Sequence, residues 1–247
     1  IIKNIFSRIY FHPLFRIMTF IACLSGVFKS YLIFTVIIIV HELGHFITGV
    51  VLGWEPDKIY IYPYGGCTKF NESLNKPLIE ELLILIMGPI TQITFYLLIK
   101  NLFNYDDYIL FKNYNYVLLI FNLMPIYTLD GGRILNILLS YKIPYRKTIS
   151  LCIYVSILVI LFLLTKVDSL IFLVVILFLV SKLIDEYKNI GFYYNRFLLE
   201  RRLKPTKYKK LKVIRNINGF YRDKKHVLRG NNKSYTEKEV LSKYFKL

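Results

Sequence analysis

Apolar runs of about 20 residues constrain this chain more than any other feature of its sequence, because a run of that length crosses a bilayer as a helix. The runs recur through the first three quarters of the 247 residues and stop near Lys188. Hydrophobic residues make up 55% of the chain, a share typical of membrane proteins rather than of soluble domains. The sequence therefore predicts an all-α polytopic membrane protein.

About six transmembrane helices fit this pattern best. The first and the fourth are the weakest. The opening segment also resembles a signal peptide, but "LSGVFKS" has no small-x-small cleavage site, so we interpret the segment as a retained anchor. The predicted spans are centred on residues 15–28, 31–52, 78–99, 108–124, 148–165 and 168–187.

Lysine and arginine are distributed unevenly among the loops between these spans. They concentrate in the N-terminal flank, the 53–77 and 141–147 loops and the tail after Lys188. Because basic loops remain in the cytoplasm, we expect a multi-pass protein with both termini cytoplasmic. The net charge of +17 then reflects the many basic residues on the cytoplasmic side of the membrane. It favours contact with anionic lipid headgroups over binding of nucleic acid.

A change in composition near residue 190 predicts two domains. Residues 1–189 form a transmembrane domain, and residues 190–247 form a basic, tyrosine-rich cytoplasmic segment. The strand-like "LKVIRNI" and "KHVLRG" and a capping box at Thr236 and Glu239 predict a small C-terminal β/α segment. We expect His226, and His12 in the N-terminal flank, to be ordinary surface or interfacial residues.

The motif "HELGH" interrupts one of the apolar runs, "TVIIIVHELGHFITGVVLG". On a helix, His41 and His45 share a face one turn apart and can direct ring nitrogens at one ion. Glu42 is placed to reach a water on that ion rather than to bind it. A zinc ion held in this way needs a third protein ligand and an open position for water. The motif therefore predicts one catalytic Zn²⁺, with Glu42 as the general base.

The position of this motif within the membrane argues against a chance match. HExxH arises often by chance in soluble helices, but ionisable groups in hydrocarbon are costly and rare unless they face a functional cavity. His41 lies about ten residues into its span, roughly 15 Å deep. The three cysteines are scattered without a CxxC pair, so we expect no thiolate metal site.

A third zinc ligand is predicted in "NLMPIYTLDGGR", residues 122–133. Asp130 follows a stretch broken by Pro125 and precedes two glycines, so the backbone is able to leave regular helix there and turn a carboxylate inward. Irregular backbone at membrane depth survives only where it is buried in protein or lines a wet cavity. The alternative is that Asp130 caps the N-terminus of the following helix. The two roles are compatible.

HELGH in an apolar span, followed about 80 residues later by an Asn…Pro…Leu-Asp-Gly stretch, resembles the site-2 protease family of intramembrane zinc metalloproteases. The resemblance covers essentially the whole chain. It implies that His41, His45 and Asp130 bind zinc and that Glu42 is the catalytic carboxylate.

The resemblance also implies substrate-binding positions at Asn122, Pro125 and Gln92. Gln92 lies in "MGPITQ", which is similar to a Gly-Pro-x-x-Asn element in which asparagine is common at that place. Thr128 stands where the family often has proline, so the local backbone there is less well defined by the resemblance.

A membrane-associated substrate and membrane inhibitors are the partners that the resemblance implies. The substrate would be pro-sigma-K, cut near the cytoplasmic face during sporulation to release the active sigma factor, and the inhibitors would resemble SpoIVFA and BofA. The same machinery is also compatible with an anti-sigma factor or a signal-peptide remnant. A non-catalytic metal-binding scaffold or transporter is the alternative from another class.

The segment "DKIYIYPYGGCTKF" alternates aliphatic residues (Ile59, Ile61) with tyrosines and then turns at Gly65-Gly66. This pattern predicts a membrane-associated β-hairpin just after the helix that carries HELGH. A protease takes its substrate in an extended form, so the edge of the hairpin is a candidate for β-augmentation. An interfacial aromatic belt is the alternative, and both roles can coexist.

Overall fold

We analysed a computed structural model of the chain, which describes residues 8–71, 74–102, 104–167, 169–203, 208, 210–229 and 233–245. Contacts between Cα atoms divide the chain into two compact units. The first unit comprises Ile1–Glu72 and Leu82–Leu123, and the second comprises Ser73–Glu81 and Met124–Leu247. The predicted domain boundary between residues 189 and 190 remains a prediction, because compactness and membrane insertion are separate properties.

The first unit is built around one long helix. The buried face of this helix, α2 (Phe28–Val51), packs against the strand Pro56–Tyr62 and the helix Tyr105–Leu123. The cluster of large apolar side chains between them includes Ile37, Ile38, Phe46, Ile59, Ile61, Phe111 and Leu118. The helices of this unit are α1 (Pro13–Leu24), α2 (Phe28–Val51), α3 (Leu78–Ile99), whose first turn belongs to the second unit, and α4 (Tyr105–Leu123).

Helix α2 ends in a Schellman motif. Gly53 takes a left-handed conformation, with φ at 75°. Its N–H donates to Val50 O at 3.0 Å, and the N–H of Trp54 donates to Gly49 O at 2.9 Å. Because only glycine adopts this conformation readily, Gly53 determines where the helix stops and where the following strand begins.

A three-stranded sheet follows α2 and confirms the predicted hairpin. Strand β2 (Pro56–Tyr62) pairs antiparallel with β3 (Gly65–Phe70), and Ile59 and Ile61 are buried as their alternation indicates. The sheet also contains β1 (Ile9–Phe11), which pairs in parallel with β2. A strand of three residues is too short to show the alternation of buried and exposed residues, so β1 was not predicted.

The second unit combines helices with a second small sheet. In this sheet the central strand β5 (Lys225–Arg229) pairs in parallel with β4 (Leu211–Ile214) and antiparallel with β6 (Ser234–Thr236). The predicted capping box is confirmed, since Thr236 and Glu239 exchange side-chain and backbone hydrogen bonds at the start of α9. Its elements are α5 (Asp130–Ser140), α6 (Tyr145–Leu164), α7 (Leu170–Lys188), α8 (Ile190–Leu203), β4 (Leu211–Ile214), β5 (Lys225–Arg229), β6 (Ser234–Thr236) and α9 (Glu237–Tyr244).

Within the described residues, three helices are long and apolar enough to cross a membrane: Phe28–Val51, Leu78–Leu102 and Tyr145–Leu164. The other predicted spans also correspond to helices, but α1 has only 12 residues and α4 carries Asp106 and Asp107 in its first turn. Residue 168, where the last predicted span begins, lies outside the described residues. The count of six spans remains a prediction.

His226 is not a surface residue, so that expectation is wrong. Its side chain is fully buried, its Nε2 accepts the N–H of Tyr221 at 3.0 Å, and its Nδ1 lies 2.6 Å from Glu237 Oε1. Burial lowers the pKa of His226. The rings of Phe220 and Tyr221 pack against it, and Arg201 of the preceding helix lies 3.1 Å from its Nδ1, contacts that composition does not reveal. His12 is half-buried, accepts the N–H of Leu14 and packs on the ring of Tyr62.

A buried ion pair joins the C-terminal segment to the start of α3 within the second unit. Arg222, which is 5% exposed, donates to Glu81 Oε2 at 2.6 Å and to Leu74 O at 3.0 Å. The carboxylate of Glu81 raises the pKa of Arg222 against the opposing effect of burial. Removing the arginine would leave a partly buried carboxylate and a carbonyl without this donor.

We expect Arg222→Ala to destabilise the protein by roughly 3 kcal/mol, because breaking one side of a buried pair leaves the other charge uncompensated. Thermal unfolding in detergent measures the effect. Arg229→Ala is the matched control, since Arg229 is exposed on β5 and its loss should leave the melting temperature almost unchanged. Equal melting temperatures for the two variants would contradict the role of this pair.

Candidate metal centre

The two motif histidines lie one turn apart on α2 and face the same point. Both are buried, at 2% exposed for His41 and 5% for His45. Their Nε2 atoms are 3.1 Å apart, and their rings are nearly perpendicular. The predicted helical pair is therefore present, and its two nitrogens converge.

An amide relay fixes the ring of His41. Gln92, fully buried on α3, donates through Nε2 to Asn115 O at 2.8 Å and to Asn115 Oδ1 at 3.1 Å. Because a carbonyl only accepts, the Gln92 amide nitrogen must face α4, and its oxygen lies 2.9 Å from His41 Nδ1. His41 therefore carries its proton on Nδ1 and presents the lone pair of Nε2.

His45 is fixed in the same sense by the backbone of α3. Its Nδ1 lies 2.8 Å from Ile84 O, which accepts only. Both rings are thus protonated on Nδ1, and two Nε2 lone pairs point at each other across 3.1 Å. Two acceptors this close repel each other unless a cation lies between them.

The spacing of these nitrogens fits zinc. In a tetrahedral site with Zn–N bonds of about 2.0–2.1 Å, two nitrogen ligands lie about 3.3–3.4 Å apart. One ligand atom from each of His41, Glu42 and His45 lies within 4.8 Å of the others, and all three residues are buried. Neutral imidazoles with outward N–H donors are the usual state of zinc-bound histidines.

Two glycines allow α2 and α3 to approach at this centre. A Cβ on Gly44 would lie 2.6 Å from Met87 O, and a Cβ on Gly88 would lie 3.0 Å from His41 Nε2. A side chain at Gly88 would therefore occupy the space onto which the two Nε2 atoms open. Gly88 belongs to the "MGPITQ" element, yet its steric role becomes visible only once α3 is placed beside α2.

Glu42 is also buried, at 5% exposed, and it lies against strand β3. The hydroxyl of Thr68 donates to Glu42 Oε2 at 2.6 Å. Asn122 is near the end of α4. Its amide nitrogen, Nδ2, lies 3.3 Å from His41 Nε2, one of the two nitrogens that would bind the metal.

The predicted substrate-binding residues therefore occupy different environments. Asn122 is at the centre, whereas Gln92 is enclosed and directs its amide at His41 and Asn115. Asn115 was not identified from the sequence. Its one available signal in the sequence was its spacing of seven residues, about two helical turns, from Asn122 on the same helix.

Asp130 and Pro125 lie in the second unit, in a segment that leaves regular helix as predicted. Helix α4 ends at Leu123, and α5 begins at Asp130 itself. Leu129 is the N-cap residue, and no side chain caps the helix, so the N-cap interpretation of Asp130 is wrong. Asp130 occupies the first helical position instead, and its assignment as third zinc ligand stays a prediction.

Close packing holds the irregular segment before α5. Tyr127 N–H donates to Ser156 Oγ at 2.8 Å. A Cβ on Gly132 would lie 2.5 Å from Tyr127 N, so the segment folds back on α5 only because residue 132 has no side chain. The hydroxyl of Thr128, at the position where proline is common, is buried without a hydrogen-bond partner among the described residues.

Comparisons with known proteins bear on this centre. A family model described as "Peptidase family M50" matches residues 30–106 and 108–163. The chain is 32% identical to stage IV sporulation protein FB of Bacillus subtilis (strain 168) over 211 residues, which are 80% of this chain and 72% of that protein.

Two further matches, one in sequence and one in structure, come from Methanocaldococcus jannaschii. The chain is 34% identical over 126 residues to a zinc metalloprotease of Methanocaldococcus jannaschii, which covers 48% of this chain and 36% of the relative. A solved structure, the site-2 protease from the same organism, aligns with a TM-score of 0.57 and 27% identity over 72% of this chain and 89% of its own.

We expect Gly88→Ala to weaken zinc binding, because the new Cβ intrudes beside His41 Nε2. The expected loss of affinity is about tenfold or more, as is typical when residues around metal ligands are changed. Metal content of the purified protein under competition with a chelator measures the change. Gly191→Ala on α8 is the control, since a Cβ there meets nothing within 4 Å. Equal zinc retention by both variants would contradict the crowding at Gly88.

Proposed function

This chain belongs to peptidase family M50 and is a zinc metalloprotease of membranes, and from that premise we propose that it cuts pro-sigma-K or a closely related membrane-associated precursor. The single observation that carries the catalytic part is the buried convergence of His41 and His45 beside Glu42. The sporulation substrate is supported by the 32% identity to stage IV sporulation protein FB.

His41, His45 and, as we propose, Asp130 hold the zinc ion. When bound, zinc polarises the scissile carbonyl and lowers the pKa of a water toward about 7. The relay from Asn115 through Gln92 keeps His41 in the tautomer that binds the metal. We therefore propose that Gln92 positions His41 in addition to, or in place of, the substrate contact that the resemblance implies.

Glu42 moves the proton in this reaction. Its carboxylate takes a proton from the attacking water and delivers it to the leaving amine nitrogen when the peptide C–N bond breaks. The peptide is thereby converted into a carboxylate and an amine without any further reactant. Asn122 is near enough to His41 Nε2 to contact a substrate carbonyl brought to the metal, and we propose that role for it.

The substrate would be bound as an extended strand, because a helix hides its carbonyls in its own hydrogen bonds. Strand β2 is already paired on both sides, so the outer edges of the sheet belong to β1 and β3. Of these, β3 lies beside Glu42. We propose that the substrate adds to the β3 edge, with Pro125 in the proposed substrate path and tyrosines of β2 near the membrane interface.

We also propose the membrane arrangement that the charge pattern favours: six spans, with the basic termini and the hairpin on the cytoplasmic side. Membrane inhibitors resembling SpoIVFA and BofA are the partners to test. An anti-sigma factor or a signal-peptide remnant is the alternative substrate, since the zinc chemistry is the same for these substrates as for pro-sigma-K.

We expect Glu42→Gln to keep its zinc and its fold but to lower cleavage by about 10²-fold or more, the usual contribution of a general base. The measurement is co-expression with pro-sigma-K and an anti-sigma factor, followed by product detection. Glu80→Gln on α3 controls for loss of a carboxylate elsewhere. Normal cleavage by Glu42→Gln would remove the catalytic assignment, and cleavage of the anti-sigma factor alone would select the alternative substrate.

We expect Asp130→Ala to lower bound zinc, because two histidines alone leave a tetrahedral site without its third protein ligand. The loss should be at least about tenfold in affinity. Asp106→Ala, an exposed residue of α4, is the matched control. Unchanged zinc content in Asp130→Ala would show that the third ligand lies elsewhere.

A further inference from the structure

Strand β3 lies along α2 in a defined register. Side chains two apart on a strand point to the same face, so Gly66, Thr68 and Phe70 form one row. That row faces α2: Gly66 and Thr68 meet Glu42, and the ring of Phe70 meets Gly49. Glu42 and Gly49 are seven residues, or about two turns, apart on the helix.

Each member of this row contributes a different property. A Cβ on Gly66 would lie 2.6 Å from both Glu42 Cδ and Oε1, so the absence of a side chain makes room for the carboxyl group. The ring of Phe70 occupies the space beside Gly49 that a side chain would fill: a Cβ on Gly49 would lie 2.5 Å from Phe70 Cζ. Trp54 packs edge-on against Phe70, with ring centroids 5.6 Å apart.

Thr68 supplies the polar contact of the row. Its Oγ1 lies 2.6 Å from Glu42 Oε2 and 3.3 Å from Glu42 O, so its one proton is directed to the closer carboxylate oxygen. A hydrogen bond to a buried carboxylate is stronger than one between neutral groups and restricts the rotation of the side chain. Oε1 remains on the side of Gly66.

We propose that Thr68 is a positioning residue for catalysis, which holds the Glu42 carboxylate at the angle needed to exchange protons with the attacking water. This role rests on the proposed function of Glu42, and it names the residue that orients the Glu42 side chain. Because the same strand is the proposed substrate edge, a shift of β3 would move the base and the substrate together.

Two variants of Thr68 and one control variant test this role. Thr68→Val keeps the shape of the side chain and removes the hydroxyl, whereas Thr68→Ser restores the hydroxyl. The control, Thr94→Val, removes an exposed threonine hydroxyl of α3 that donates to Ile90 O at 2.9 Å. Each is compared with wild type and with Glu42→Gln.

Cleavage of a membrane-tethered pro-sigma-K substrate is the first measurement. We expect Thr68→Val to lower kcat about tenfold or more with little change in KM and in zinc content, and Thr68→Ser to recover most of the rate. Thr94→Val should equal wild type. A wild-type kcat for Thr68→Val, or a Thr68→Ser rate as low as that of Thr68→Val, would overturn the proposal.

The infrared spectrum of the substrate-free protein is the second measurement and does not depend on turnover. The difference between wild type and Glu42→Gln identifies the carboxylate band of Glu42. We expect Thr68→Val to shift this band and Thr68→Ser to leave it in place, whereas an unshifted band in Thr68→Val refutes the contact. An active Glu42→Gln would instead contradict the proposed function, so the two failures are distinguishable.

Gly66→Ala tests the room beside Glu42 independently of the hydroxyl. We expect it to lower kcat as well, because the added Cβ overlaps the carboxyl group. Gly191→Ala on α8 is its control, since a Cβ at that position meets nothing within 4 Å and the residue lies outside the proposed substrate-binding strand. Equal activity of these two variants would contradict the proposal that the β3 residues facing α2 hold the carboxyl group of Glu42 in place.

Discussion

The convergence of two unprotonated nitrogens in a buried place is the constraint on which the rest of the first unit depends. The Nε2 atoms of His41 and His45 face each other at 3.1 Å. A cation bound between them, with both Nδ1 protons directed away, would remove the repulsion between the two lone pairs. The amide of Gln92 and the carbonyl of Ile84 receive those protons, and the glycines at 44 and 88 let α3 come close enough to do so.

The Glu42 carboxylate is held by a different element from the two histidines. Helix α3 orients the histidines, whereas strand β3 contacts Glu42. The Schellman motif at Gly53 ends α2 where the hairpin can turn back along it, which brings Gly66 and Thr68 to the level of the motif. The two histidines and the Glu42 carboxylate are thus positioned by separate segments of one unit.

Much of this structure was predictable because its signals are local. The four-residue spacing of His41 and His45, the alternation around Ile59 and the capping box at Thr236 each lie within one element, and each is confirmed. In the first unit, the missed features require a partner distant in sequence. Strand β1 and the contact of Thr68 with Glu42 belong to this group.

The sequence by itself determined the environment and the kind of chemistry: apolar runs of this length predict helices in a membrane, and two histidines one helical turn apart in such a run predict a metal site. Only the tertiary structure decided which tautomer each histidine adopts, which residue orients Glu42 and where α2 ends against the sheet. The physical reason is range. Helical spacing and hydropathy are set by neighbouring residues, whereas a hydrogen bond or a close approach of two backbones exists only after distant segments have packed.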